Sequence, residues 1–284
     1  MRELRGKPVA DALTQQLKTR IEKLAENGIT PTLAIVRVGE RADDLSYERG
    51  AQKRFAGAGA DVQVHTLPAD CSQADLENTL TRLSRDPAVD GILLFRPLPA
   101  QLSEARAKSF IDPAKDVDCF TDGGYAALLT GSGKACPPCT PAAVMELLDH
   151  YGIDLTGKRV TIVGRSLVVG KPLMLMMLAK NATVTVCHTR TADLPAECRR
   201  ADILVACVGK AKMIDASYVR EGQIVVDVGI NVDEAGNLCG DVDYESVSAI
   251  AEAITPVPRG VGSITTAVLL KHVTECAERS AETN

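Results

Sequence analysis

The stretch that most constrains the fold runs from Lys158 to Pro172, KRVTIVGRSLVVGKP. Its apolar residues Val160, Ile162 and Val163 end in Gly164-Arg165-Ser166, and Gly170 and Pro172 precede a long apolar segment. A buried strand that passes through a glycine turn into a helix N-terminus makes an anion site. Backbone N–H groups converge there and the helix dipole favours a phosphate. The spacing is G-x-x-x-x-x-G rather than G-x-G-x-x-G, so the standard dinucleotide fingerprint is absent. Alone, the turn reads equally as a phosphate site or as ordinary strand-to-helix punctuation.

Around this stretch, strands alternate with helices in two series. In the first, residues 8–27 read as a helix, 32–38 (TLAIVRV) as a strand, 44–57 as a helix and 62–67 as a strand. Residues 73–86 follow as a helix, and 91–95 (GILLF) as a buried strand. In the second, a helix over 141–151 precedes strands over 159–163, 183–187, 203–206 and 224–228, with a helix over 171–180 between the first two. Such alternation implies parallel sheets with helices on their faces. The expected fold is therefore α/β with two domains, an N-terminal αβ catalytic domain and a C-terminal Rossmann-like parallel-sheet domain. The boundaries read as 1–139 plus 264–284, and 140–263. The last helix, over 264–279, is long enough to reach back to the first domain. The N-terminus, MRELRGKPVADALTQQL, reads as an amphipathic helix without an apolar signal core, which points to a cytoplasmic protein.

Composition narrows the function classes. The 284 residues carry a net charge of -5 with no basic cluster, which argues against nucleic acid and against a polybasic membrane anchor. No apolar run approaches the roughly 20 residues of a membrane span. Nine cysteines, an odd number scattered along the chain, argue against a disulfide framework. Cys136-Pro-Pro-Cys139 has redox spacing, but Thr140-Pro141 follow, so Thr140 reads as a helix cap with Pro141 at the first helical position. No second cysteine or histidine pair lies at ligand spacing, so no metal site is expected.

In the second series, glycines and short polar residues follow the strand ends: Gly164-Arg165-Ser166, His188-Thr189-Arg190, Gly209 and Gly229. The carboxyl ends of the strands form the ligand crevice of an open parallel sheet. Arg165 and Arg190 follow what read as adjacent strands. Either one or both hold the 2'-phosphate of NADP, or they are two solvated arginines.

Several separate stretches then agree with one family. The chain resembles the bifunctional methylenetetrahydrofolate dehydrogenase/methenyltetrahydrofolate cyclohydrolases of one-carbon metabolism. The resemblance is carried by Val38-Gly39 with Tyr47, KDVD at 115–118, PCTP at 138–141 and VGRS at 163–166. It continues through Val169, Gly170 and Pro172, TVTVCH at 183–188, DVG at 227–229, GDV at 240–242, TPVP at 255–258 and GVG at 260–262. The order is kept across nearly the whole chain.

The resemblance implies a folate cleft between the two domains and usually a homodimer. It implies hydride transfer from methylenetetrahydrofolate to NADP, or alternatively NAD, giving the methenyl cation that family members then hydrolyse. The folate nitrogens push out the hydride, so the protein mainly supplies orientation. Asp118 matches the aspartate that hydrogen-bonds the pterin, and Tyr47 the tyrosine that stacks on the folate; these two are the catalytic candidates. Phe95, Pro97, Leu98, Gly262 and Thr265 are the further substrate positions. Gly164, Arg165, Ser166, Val169, Gly170, Pro172, His188, Thr189, Arg190, Gly209, Gly229 and Ile230 are the cofactor positions.

The departures are sharper than the matches. The family pattern S-x-x-Y-V-x-x-K is here Asp44 to Ala51, with Asp44 at the serine position and Ala51 at the catalytic lysine position. Positions 47 and 51 are one helical turn apart on one face. Lys53 is no substitute, because two residues along a helix turn a side chain by about 200°. The glutamine of V-Q-L-P-L-P is Phe95, followed by Arg96; the glycine of K-D-V-D-G is Cys119; P-G-G-V-G-P-M-T has become PRGVGSIT at 258–265. Lysine and glutamine are the family's water-activating pair, and activating a water is worth about 10²–10⁴-fold. The chain therefore reads as a dehydrogenase with weak or absent cyclohydrolase activity, paired in function with a separate cyclohydrolase. Three alternatives stand beside it. Asp44 or Arg96 rebuilds the water site in a full bifunctional enzyme; the chain is a non-catalytic folate-binding paralogue; or it is an NAD(P)-dependent dehydrogenase of a small acid.

Overall fold

The structure, a computed structural model, describes residues 1–133 and 136–283. In chain order its first elements are β1 (Arg2–Glu3), α1 (Gly6–Glu26), β2 (Thr32–Val38), α2 (Ala42–Ala58), β3 (Asp61–Leu67), α3 (Gln73–Arg85), β4 (Gly91–Leu94), α4 (Glu104–Ala107) and α5 (Asp122–Thr130). There follow α6 (Cys139–His150), β5 (Arg159–Val163), α7 (Gly170–Ala179), β6 (Thr183–Cys187), α8 (Leu194–Arg199), β7 (Ile203–Ala206) and β8 (Ile224–Asp227). The last are β9 (Asn231–Val232), β10 (Leu238–Cys239), α9 (Tyr244–Ser248), β11 (Ala253–Ile254) and α10 (Thr265–Thr283).

Two compact units emerge. One comprises Asp11–Cys139 with Thr266–Asn284, and the other Met1–Ala10 with Thr140–Thr265. The expected boundaries put residues 1–10 with the first unit. The structure puts them with the second, because β1 pairs in parallel with β11, Arg2 opposite Ala253 and Glu3 opposite Ile254. The N-terminus is thus a short strand before the helix, which starts at Gly6 rather than running through the first residues. A dipeptide of two charged residues has no apolar alternation to announce it.

The unit built on Asp11–Cys139 holds a parallel three-stranded sheet in the order β3-β2-β4. β2 is central and buried along its whole length, as a strand covered on both faces must be. Its Arg37 is tolerated there because its guanidinium meets Glu48 Oε2 at 2.9 Å and Thr66 Oγ1 at 3.2 Å. Alternate residues Ala34, Val36 and Val38 pack with Leu76, Leu80 and Leu83 of α3. That helix starts in a reciprocal capping box between Ser72 and Asp75.

The other unit holds a six-stranded sheet, β1-β11-β8-β7-β5-β6, all of whose pairs are parallel. A parallel sheet places every strand's carboxyl end on the same edge. β5 lies between β7 and β6, so Arg165 and Arg190 do follow adjacent strands. The helix expected after Thr140 begins at Cys139, so Thr140 lies inside it and is not its cap. No helix among the described residues is long and apolar enough to cross a membrane.

Candidate active site

Tyr47, Phe95, Pro97, Leu98 and Asp118 all lie in the unit built on Asp11–Cys139. α2 carries Asp44, Tyr47, Glu48 and Ala51 at helical spacing, which sets them along one face. Ala51 is fully buried, whereas Lys53 is exposed on another face of the helix. Phe95 directly follows β4, and its ring meets Tyr47 edge to face with centroids 5.9 Å apart. Pro97 is exposed, and Leu98 packs partly into the core beside it. Burial pushes the Asp44 carboxyl above its ordinary value, with Arg41 at 4.0 Å pulling the other way.

Asp118 sits in a loop shaped by its neighbour Asp116. The buried Asp116 carboxylate accepts from the backbone N–H groups of Asp118 at 3.3 Å, Phe120 at 3.0 Å and Thr121 at 2.7 Å. Asp118 Oδ1 accepts from the Cys139 N–H at 2.8 Å, and its Oδ2 lies 3.5 Å from the Arg96 guanidinium. Burial pushes the Asp118 carboxyl up, while the Cys139 amide and Arg96 oppose that shift. Cys119 keeps the left-handed backbone, φ +52°, at the position where the family pattern has glycine. Cys139 is no activated redox thiol: burial and the Asp118 charge push it well above its ordinary value. No cysteine forms a disulfide among the described residues.

In the unit containing the six-stranded sheet, the other expected residues fall at the strand ends. Gly164, Arg165 and Ser166 follow β5; His188, Thr189 and Arg190 follow β6; Gly209 follows β7; Gly229 and Ile230 follow β8. Val169 caps α7, with Gly170 and Pro172 in its first turn. Gly164 has φ +131°, and a Cβ there would lie 2.3 Å from Cys207 O; at Gly170 a Cβ would lie 2.1 Å from Gly164 O. Only glycine at both positions lets the turn close so tightly. Ser166 Oγ accepts from the Val169 N–H at 3.0 Å. His188 Nδ1 accepts from the Arg190 N–H at 3.1 Å, and Thr191 Oγ1 accepts from the His188 N–H at 2.8 Å. Arg165 and Arg190 are exposed, and neither guanidinium makes a hydrogen bond or ion pair among the described residues. Two uncommitted guanidinium groups, a serine hydroxyl and a helix N-terminus fit the phosphates of a dinucleotide. Gly262 and Thr265 also belong to this unit, where Thr265 Oγ1 donates to Gly262 O at 3.2 Å.

Besides Asp116, two more carboxylates organise loops without a role assigned from the sequence. The Asp241 carboxylate accepts from the N–H groups of Val208 at 2.6 Å, Gly209 at 3.1 Å and Lys210 at 2.8 Å, and from Asn231 Nδ2 at 2.9 Å. The Asp227 carboxylate accepts from the N–H groups of Gly229 at 3.0 Å, Asp241 at 3.0 Å and Val242 at 2.9 Å. Burial pushes Asp227 up to about 7. Together they hold the loops after β7 and β8. Both lie in the DVG and GDV stretches that carry the resemblance, where no periodicity marks their role.

Comparison with known proteins agrees with this architecture. Residues 4–118 match the catalytic domain of the tetrahydrofolate dehydrogenase/cyclohydrolase family, and residues 138–281 match its NAD(P)-binding domain. The bifunctional protein FolD of Clostridioides difficile (strain 630) is 50% identical over 275 residues, covering 97% of this chain and 96% of that protein. The crystal structure of the bifunctional FolD enzyme, a methylenetetrahydrofolate dehydrogenase/cyclohydrolase, from Campylobacter jejuni superposes with a TM-score of 0.95 at 38% identity, covering 98% of this chain and 99% of that one. The Trypanosoma brucei FolD structure, complexed with NADP cofactor and inhibitor, gives a TM-score of 0.91 at 33% identity, covering 98% and 97%. The chain is a two-domain α/β protein with a catalytic domain and an NAD(P)-binding domain. It belongs to the tetrahydrofolate dehydrogenase/cyclohydrolase family.

Proposed function

We propose that the protein oxidises 5,10-methylenetetrahydrofolate to the 5,10-methenyl cation and has weak or absent cyclohydrolase activity. NADP, when bound, supplies the hydride acceptor, with NAD the alternative. In this reading Asp118 holds the pterin through its carboxylate, and Tyr47 stacks on the folate beside Phe95, Pro97 and Leu98. Gly262 and Thr265 complete the substrate residues. Arg165 and Arg190 take the 2'-phosphate, with Thr189 beside them. The α7 N-terminus with Ser166, Val169, Gly170 and Pro172 faces the remaining phosphates, and His188, Gly209, Gly229 and Ile230 line the rest of the dinucleotide. The oxidation itself asks the protein for orientation rather than for a base.

The observation that carries the second half of the proposal is Ala51, buried one helical turn after Tyr47. A methyl group there neither positions nor deprotonates a water, and Phe95 supplies no polar atom in place of the family glutamine. Nearby basic groups are otherwise engaged. Lys53 is exposed, Arg54 donates to Thr14 Oγ1 at 2.7 Å and Thr266 Oγ1 at 2.9 Å, and Arg96 faces Asp118. One observation favours a rebuilt water site: the upward push on Asp44, one turn before Tyr47, moves its carboxyl toward the range of a general base. We place the chain in the cytoplasm as a homodimer, with a separate cyclohydrolase consuming its product.

The test is oxidation of methylenetetrahydrofolate with NADP and, separately, NAD, with reduced nicotinamide and methenyl product followed together. The two rise in step if the proposal holds. No reduced nicotinamide with either cofactor identifies a non-catalytic paralogue. Turnover of small hydroxy acids without folate identifies a different dehydrogenase. Methenyl consumption that Asp44→Asn abolishes identifies Asp44 as a rebuilt base.

A further inference from the structure

Arg96 stands where the family pattern has leucine, and the structure gives it an unusual setting. Its guanidinium lies 4.6 Å from the centroid of the Phe120 ring and 3.5 Å from Asp118 Oδ2. Stacking on an aromatic face fixes the plane of a guanidinium while leaving its edge N–H groups open. At 3.5 Å the contact with Asp118 is an ion pair rather than a short hydrogen bond. Among the described residues Arg96 makes no hydrogen bond, and its side chain keeps 22% of its surface accessible. The Asp118 side chain keeps 24%; its Oδ1 accepts from the Cys139 amide, and its Oδ2 has only the Arg96 ion pair. The pair therefore presents unspent acceptors and unspent donors side by side, held in place from behind.

A 2-amino-4-oxo-pyrimidine ring carries the complementary edge. Its 2-amino group and N3–H donate, and its adjacent 4-oxo group accepts. We infer that Arg96 is a specificity-determining residue which donates to the 4-oxo oxygen of the pterin while Asp118 accepts from N3–H and the 2-amino group. The inference rests on the reading of Asp118 as the folate aspartate, and adds to it a residue that the family pattern does not supply. Arg96 acts twice in this arrangement. It keeps a charge beside Asp118 that favours the ionised carboxylate, and it rejects ligands that present a donor at C4. A mispaired donor in a partly buried site costs more than a missing contact, because both groups lose water without gaining a partner.

Folic acid and its 4-amino analogue differ at C4 and at N3, which carries hydrogen only in the 4-oxo compound. The N3 difference falls on Asp118 in every variant, so calorimetric titration of the intact protein reads Arg96 from the change in preference between variants. The wild type binds the 4-oxo compound more tightly. Arg96→Leu lowers that preference by about tenfold or more, the size expected for one charged hydrogen bond. Arg96→Lys keeps the charge but loses the planar fork, and gives an intermediate preference. The dissociation constant for NADP stays within about twofold in both variants, which separates the effect from misfolding. A preference that changes less than about threefold in both variants overturns the inference while leaving the folate reading standing. Failure of the wild type to bind either pteridine overturns the folate reading and the inference with it.

Discussion

Tyr47 and Phe95 meet edge to face, with ring centroids 5.9 Å apart and ring planes at 83°. That contact joins the middle of α2 to the end of β4 at the two positions where the family pattern has its stacking tyrosine and its water-handling glutamine. On the resemblance, an aromatic ring stands in place of the amide, and buried Ala51 in place of the lysine one turn along. The two replacements fit each other, since losing either polar partner leaves the other without a task.

Restoring one partner alone should accomplish little. Ala51→Lys is expected to raise methenyltetrahydrofolate hydrolysis by less than about tenfold, because Phe95 still denies the water a polar neighbour. It should also lower stability, since position 51 is buried and an ammonium there has to shed water. Ala51→Lys combined with Phe95→Gln should exceed the single variant by a further factor of about ten or more. Stopped-flow decay of the methenyl absorbance measures both. A large rescue by the single change would contradict the two-residue account.

In the proposed reading, the two exposed guanidinium groups after β5 and β6 set the cofactor preference. Arg165→Ala and Arg190→Ala should each weaken NADP binding by about tenfold, with NAD changed far less, because a 2'-phosphate loses a charge-assisted partner and a 2'-hydroxyl does not. Titration of both dinucleotides against each variant checks this. A wild-type preference for NAD of more than about tenfold would rule out a phosphate clamp.

Arg259 occupies a glycine position of the family pattern with φ +85°, on an exposed loop. A left-handed backbone costs a residue with a Cβ roughly 1–2 kcal/mol, offset in part by the entropy that glycine loses on folding. Arg259→Gly should therefore stabilise the protein by about 0.5–1 kcal/mol in a denaturant titration. Cys119→Gly, at φ +52°, should gain less, because the Cys119 side chain is buried and its removal leaves a void.

His272 connects stability to pH. It is buried on α10, and its Nδ1 donates to Val117 O at 2.9 Å, next to Asp118. Burial pushes it down to about 4, from an ordinary 6.5. The unfolded chain takes up a proton below 6.5 that the native state refuses until about 4, so the neutral histidine's contribution is complete above 6.5. It is lost as pH falls through that window, at up to ~1.4 kcal/mol per pH unit. Unfolding free energies at several pH values should show this slope in the wild type and a shallower one in His272→Asn, whose amide keeps the donor to Val117. Equal slopes would mean that native His272 takes up its proton as readily as it does in the unfolded chain.

The strands that position the site were legible from their patterning: β2, β5 and β7 are near-continuous apolar runs, as burial on both faces demands, and the edge strand β6 alternates threonine with valine. β2, β5, β6 and β7 begin and end where TLAIVRV, RVTIV, TVTVC and ILVA do. The glycine turn before α7 was legible because close packing of a strand end on a helix start tolerates nothing larger. β1 was not, since two charged residues carry no period and their pairing with β11 is a long-range contact. Asp116, Asp227 and Asp241 were not either. Each carboxylate gathers backbone N–H groups from a loop, and a loop leaves no periodicity in a sequence from which its folding around a carboxylate can be read.

The central claim is that this chain makes the methenyl cation and leaves it intact. The direct measurement adds purified protein to methenyltetrahydrofolate without any nicotinamide cofactor and follows the methenyl absorbance against buffer alone. The account predicts the same decay rate with and without protein, in a preparation that reduces NADP when given methylenetetrahydrofolate. Accelerated decay that scales with protein concentration would contradict it, and would show that a water is activated without a lysine at position 51.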